Sequence, residues 1–479
     1  MLTNLLIVLP LVGALVVWAA PLPREFTAAL AVVIALAEVA LWIVMLVGFD
    51  FDSSVLQESA QREWFGDLGV SYTVGFYGFS LWLAGLTVVV GAAAIGFGAW
   101  VGRDRARAYY GLMLFLIGAV VGVFAAQDLL LFYVFFEAML IPIYVLVGVW
   151  GGPNRISATV TFVIYTMAGS LLMLASIVVF GLSQGTFNLI DSGTSGNDWV
   201  FLGFMIAFAV KAPLLPFHGW LRTAYTEAPP EVAALLSGVV SKAAVYGLIW
   251  IVLRHFPGPV ESWRTVVLVL AASGLVYGSL LAFRQPDVRG VIAYSSMAQM
   301  SLIVLGIFSV ASLGITGAVL HSVSHGLVSA AMFLLAAMLI QRTGTDRFAD
   351  LGGLARGRPA LATSVLIVGM LTLAVPGSVN FVGEFAILAG VFAQGWGYAA
   401  VGAVAIVLAA MYSLRLISAV LHRAPGSSVR EESLDLRFGE LLLIVPLIAI
   451  LLALSVWPAS ISEHTFPKAA PTMPSEATP

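Results

Sequence analysis

Residues 199–216 read WVFLGFMIAFAVKAPLLP, an apolar run with Lys211 near its end and Pro213 and Pro216 just beyond. Residues 231–255 repeat the theme as EVAALLSGVVSKAAVYGLIWIVLRH, with Lys242 near the middle. The remaining 479-residue chain holds one further lysine, Lys468. An ammonium at the centre of a bilayer costs ~2.5–3.5 kcal/mol on insertion scales. A chain that uses lysine almost nowhere else has placed it where it is most expensive, which points to an ion or proton path.

Composition agrees with a membrane setting. The chain is 61% hydrophobic and 10% charged, with mean hydropathy +1.02, whereas a soluble domain is about 25% charged. A span needs ~20 apolar residues, and such runs follow one another almost end to end. The first, 2–20, has no basic residue before it and therefore reads as a retained span, not a secretory signal. With no cysteine, disulfides, Cys-ligated iron–sulfur clusters and Cys-type zinc sites are excluded. No loop is long enough for a soluble domain, and the net charge of −3 offers nothing to nucleic acid.

The pattern predicts an all-α polytopic membrane protein with about fourteen transmembrane helices: 2–20, 27–48, 73–101, 108–126, 129–150, 157–182, 199–221, 231–255, 265–283, 291–311, 315–341, 360–395, 397–421 and 438–460. An outside N-terminus places fifteen arginines in inside loops and only Arg62, Arg254, Arg264 and Lys468 outside, the bias expected of positive-inside topology. Both termini then face outside, and the Pro/Ala/Thr-rich end, 467–479, reads as a disordered tail.

Lys211, Lys242 and Arg415 are the basic residues left in the membrane, and the acids there are Glu38, Glu137 and Glu384. Glu137 is central in FYVFFEAMLIPIYVL (132–146), and Glu384 lies in LAVPGSVNFVGEFAIL (373–388). Carboxylates and amines held at membrane depth can exchange protons, which is the chemistry a relay needs. The competing reading of Glu137 and Lys211 is a static ion pair that fixes helix register. Glu38 stands apart from this group, and Arg415, near an inside end, can snorkel to the headgroups.

Two spans are broken. Pro213 and Pro216 follow Lys211, and Pro376, Gly377 and Gly383 precede Glu384. Prolines remove backbone donors, and irregular backbone at membrane depth survives where it is buried in protein or lines a cavity. These are spans 7 and 12, five apart, so a five-span repeat must insert its second copy inverted. The chain divides into a three-span segment (1–107), a first repeat of spans 4–8 (108–255), an inverted repeat of spans 9–13 (265–421), and a last span with tail (422–479). His321 and His325 share one helix face in LHSVSHGLVSAAMFLLA (320–336). They lack the glutamate of a zinc-binding HExxH but suit proton transfer, with Ser322, Ser324 and Ser329 as a polar stripe. Helix-to-helix hydrogen bonding is the competing reading. His218 is an accessory candidate at the inside end of span 7.

FFEAMLIPIYVLVGVWG (135–151), KAPLLPFHGWLRTAYTEAPPEVAALLSGVVSKAAVYG (211–247), LHSVSHGLVSAAMFLLA and VPGSVNFVGEF (375–385) resemble the antiporter-like membrane subunits of proton-pumping NADH:quinone oxidoreductase, respiratory complex I. The resemblance covers essentially the whole chain. Among the L, M and N types it is greatest to M: no long lateral helix follows span 14, and Glu384 stands where L and N typically carry lysine. It implies a charge pair of Glu137 and Lys211, a central relay at Lys242, a hydrated bridge at His321 and His325, and a terminal acid at Glu384.

The implied function is proton translocation by a subunit of the bacterial plasma membrane without catalytic redox residues. Flavin and iron–sulfur clusters belong in partner subunits, L- and N-like chains are its neighbours, and it has no cofactor or metal of its own. The alternatives are a subunit of a multisubunit sodium/proton antiporter and a membrane-arm scaffold.

Overall fold

The computed structural model describes residues 1–430 and 434–467. The tail predicted for 467–479 therefore lies outside the described residues except for Pro467. In hydrocarbon every backbone N–H and C=O must be satisfied internally, so each apolar run closes into a helix. Among the described residues twelve helices are long and apolar enough to cross a membrane. Spans 1–6 are Leu2–Ala19, Arg24–Gly48, Gly78–Val101, Ala106–Ala125, Leu129–Trp150 and Arg155–Gln184. Span 8 is Pro230–His255, and spans 9–11 are Pro257–Arg284, Val288–Phe308 and Ser312–Thr343. Spans 13 and 14 are Trp396–His422 and Phe438–Val456. The two broken crossings supply the rest: span 7 is Asp198–Lys211 with Leu221–Glu227, and span 12 is Pro359–Thr372 with Val379–Phe392. With these two, fourteen spans are assigned among the described residues, the number the sequence predicts.

Features recur five spans apart. Spans 6 and 11 are the longest, at 30 and 32 residues. Spans 7 and 12 are broken, and wide π-helical turns occur in spans 8 and 13, two in the former and one in the latter. Several helices begin at a side-chain cap: Asp128, Asn197, Asp287 and Ser378 accept from backbone N–H groups of the first turn.

One segment departs from expectation. Span 3 was predicted to begin at residue 73, but Val70–Phe76 (VSYTVGF) forms strand β2, antiparallel to β1, Gln57–Phe65, and the helix begins at Gly78. β-branched and aromatic residues favour a pleated, half-buried surface. Asp128 then ties this hairpin to span 5: its carboxylate accepts from Ser71 N (2.9 Å) as well as from Leu130 N and Leu131 N. Span 9 also starts earlier than the predicted 265, because Pro257 sits in its first turn, where a proline lacks nothing.

Burial separates the middle of the bundle from its margin. The most apolar 18-residue stretch of span 8 is wholly buried and those of spans 10 and 11 are 94% buried, against 22% and 28% in spans 2 and 14. Arginines at the span ends lock neighbouring spans by ion pairs: Arg103–Glu231, Arg222–Asp287, Arg289–Asp346 and Arg342–Glu440, all at 2.6–2.8 Å. Arg415 departs from its predicted snorkelling. Its guanidinium donates to the carbonyls of Phe283 and Gln285, at the end of span 9, and lies over the Phe283 and Phe348 rings. A helix C-terminus offers unpaired carbonyls and a negative dipole end, so protein replaces the lipid headgroup as its partner.

Candidate functional site: a buried chain of ionisable side chains

Span 8 places Lys242 between two π-helical turns, Leu236–Val240 and Leu248–Val252. Such wide turns are rare and concentrate at functional sites. Here the first leaves the Ser237 carbonyl available to side chains: Lys242 Nζ donates to it at 2.8 Å and Ser241 Oγ at 3.0 Å. Lys242 Nζ also lies 3.0 Å from His325 Nδ1 and 3.3 Å from Ser241 Oγ. The ammonium therefore has three partners and no solvent exposure. Among the described residues it forms no ion pair.

Glycine makes this contact reachable. A Cβ on Gly326, beside His325, would lie 2.6 Å from the Gly238 carbonyl oxygen, and one on Gly238 would lie 2.9 Å from the Gly326 oxygen. Spans 8 and 11 thus touch backbone to backbone, in the manner of small-residue membrane contacts. At the next crossing, a Cβ on Gly383 would meet His321 Cβ at 2.9 Å, so span 12 approaches span 11 equally closely.

From His325 the chain runs on through His321, whose ring centroid is 6.1 Å away. His321 Nε2 lies 2.8 Å from Gln299 Oε1, and Gln299 Nε2 donates to Glu384 Oε1 at 3.2 Å. The amide oxygen can only accept, so His321 carries its hydrogen on Nε2 in this arrangement. His321 Nδ1 and Glu384 Oε2 have no hydrogen-bond partner among the described residues. Lys242, His325, His321 and Glu384, expected to act together, are therefore brought together, and Gln299 joins the last two.

Lys211 and Glu137 are placed differently from a contact pair. Lys211 is the last residue before the break in span 7, is 2% exposed, and has no hydrogen-bond partner for Nζ among the described residues. Its ammonium lies 4.8 Å from the centroid of the Phe136 ring, next in sequence to Glu137, a cation–π arrangement. No Lys211–Glu137 ion pair forms among the described residues. The predicted charge pair is therefore not a contact: the ammonium faces the Phe136 ring, and the helix of span 5 is interrupted at Met139, just after Glu137.

His218 is half-buried at the break, its ring edge-on to Tyr277 at 5.3 Å and apart from the chain of histidines. Glu38 is 1% exposed in span 2, with both oxygens unpartnered among the described residues. Among the described residues no group of three His, Cys, Asp or Glu side chains is arranged to hold a metal.

Sequence reading missed Gln299, Ser237 and Ser296. The signal was present in AYSSMAQMS (293–301), where Ser295, Ser296 and Gln299 put polar groups on one face of an otherwise apolar helix.

Comparison with known proteins places this geometry. Residues 126–410 match the family described as NADH:quinone oxidoreductase/Mrp antiporter, transmembrane. NADH-quinone oxidoreductase subunit M of Mycobacterium tuberculosis (strain ATCC 25618 / H37Rv) is 35% identical over 518 aligned residues, covering 98% of this chain and 93% of the relative. A chain of respiratory complex I from Thermus thermophilus, solved with bound NADH, superposes with a TM-score of 0.89 at 30% identity, covering 97% of each chain. A chain of the Mrp complex from Dietzia sp. DQ12-45-1b shares the fold, with a TM-score of 0.87 at 21% identity over 97% of this chain and 96% of that one. The buried lysines, the broken spans and the matched segment fall together, and the chain belongs to the NADH:quinone oxidoreductase/Mrp antiporter transmembrane family.

Proposed function

We propose that this chain is the M-type proton-translocating membrane subunit of an NADH:quinone oxidoreductase. Its own residues move protons, and redox chemistry in partner subunits drives them. The observation that carries this reading is the buried sequence Lys242–His325–His321–Gln299–Glu384, in which each step but the 6.1 Å gap between the imidazoles is a hydrogen bond. Lys242 holds a proton that His325 can accept at Nδ1, and the histidines pass charge towards Glu384. Lys211 and Glu137 bias the other half electrostatically across Phe136. Flavin and iron–sulfur clusters belong to partner subunits, L- and N-like chains flank this one in the membrane arm, and both termini face the outside of a bacterial plasma membrane.

The test is NADH-driven proton uptake in sealed vesicles carrying the assembled complex. Lys242→Ala should abolish translocation through this chain. Lys242→Arg should fail as well, because arginine stays protonated in proteins. If arginine supported pumping as well as lysine, Lys242 would be a fixed charge and the relay reading would be wrong. Sodium-dependent activity without NADH would favour an antiporter instead.

A further inference from the structure

Three hydroxyls lie behind His325. Ser237 Oγ in span 8 is 2.6 Å from both Ser296 Oγ in span 10 and Ser329 Oγ in span 11, and the latter two are 3.3 Å apart. Ser296 Oγ is 3.3 Å from His325 Nε2. Both ring nitrogens of His325 are therefore engaged, Nδ1 by Lys242 and Nε2 by Ser296. The Nε2 side of the ring thus opens onto Ser296, and His325 also borders the cavity that Ser329 lines.

Ser329 also lines a cavity of about 20 Å³ between spans 10, 11, 12 and 13. A volume of ~10–15 Å³ suffices for one water, which takes two to four polar partners. Asn380 Oδ1, Tyr412 Oη and Ser413 Oγ line the same cavity, are at most 3% exposed, and have no hydrogen-bond partner among the described residues.

We propose that this cavity holds water and that the serine trio is a side branch delivering protons from it to Lys242 through His325. The proposal rests on the relay reading given above. A proton on the cavity water passes to Ser329 Oγ, whose own hydrogen passes to Ser237, and that of Ser237 to Ser296. Ser296 gives its hydrogen to His325 Nε2, and His325 releases its Nδ1 hydrogen to the neutral amine of Lys242. Every serine oxygen ends with one hydrogen, no electrons change hands, and the water returns to neutrality with two. A charged Lys242 donates to Nδ1, which leaves Nε2 protonated and facing Ser296, so the branch closes until Lys242 has passed its proton on.

The experiment uses sealed vesicles with the assembled complex and reads protons taken up per NADH oxidised. Ser296→Ala and Ser329→Ala should each lower this ratio towards that of Lys242→Ala, with assembly unchanged; should one variant not assemble, the other carries the test. Ser301→Ala is the control: its hydroxyl is buried in the same helix as Ser296 but donates to the Met297 carbonyl, outside the trio, and the ratio should not move. Loss in Lys242→Ala with normal ratios in both serine variants overturns the branch and leaves the relay standing. Normal ratios in all three overturn the relay itself. A drop in Ser301→Ala as large as in Ser296→Ala overturns the branch as a nonspecific effect.

Discussion

Gln299 is the one side chain that joins His321 to Glu384, and replacing it with leucine tests whether that bridge matters. Leucine keeps the approximate volume and removes both polar ends. Two hydrogen bonds disappear, at 2.8 Å to His321 Nε2 and 3.2 Å to Glu384 Oε1, and no new partner takes their place. Leaving a buried polar group unsatisfied costs ~1–3 kcal/mol, and more if it is charged, so the two together amount to ~2–6 kcal/mol. Part appears as lower thermal stability of the complex. The rest appears in function, because both side chains lose the contact that orients them and a misplacement of ~1 Å can cost ~10²-fold in rate. The assay is proton uptake per NADH oxidised in sealed vesicles, with assembly checked by native electrophoresis. The ratio should fall in Gln299→Leu, whereas Gln299→Glu keeps an acceptor for His321 and should retain part of it. An assembled Gln299→Leu complex with an unchanged ratio would refute the bridge.

Glu384→Gln should also lower the ratio, since an amide cannot take up and release a proton, and Glu384→Lys should recover part of it; normal stoichiometry in the glutamine variant would remove Glu384 from the path. Glu137→Gln should reduce pumping while assembly survives, and Glu137→Asp, which keeps the charge, should retain part of it. Full pumping by the glutamine variant would refute its role. Gly326→Ala puts a Cβ 2.6 Å from the Gly238 oxygen, an overpacking that costs ~1–3 kcal/mol. Melting temperature and pumping should fall together, while Gly258→Ala, which meets nothing within 4 Å, should change neither.

Hydropathy and charge in the sequence determined the crossings, and Lys211, Lys242, His321, His325 and Glu384 could be singled out without coordinates. The reason is solvation: each crossing must be an apolar run, and an ionisable group inside one is too costly to be incidental. The second hairpin strand, Val70–Phe76, escaped that reading, because its β-branched and aromatic residues next to an apolar run look like the beginning of that run. Partnership was the larger omission. Whether Lys211 meets Glu137 or sits over Phe136 depends on how the side chains of spans 5 and 7 are packed, which hydropathy does not encode. Gln299 and the serines became significant only once spans 10, 11 and 12 were packed together, because a neutral polar residue costs little in a helix and carries no charge to betray it. That packing rests on Gly238, Gly326 and Gly383, which admit close approach of their neighbours and bring side chains up to 92 residues apart in sequence into direct hydrogen bonds.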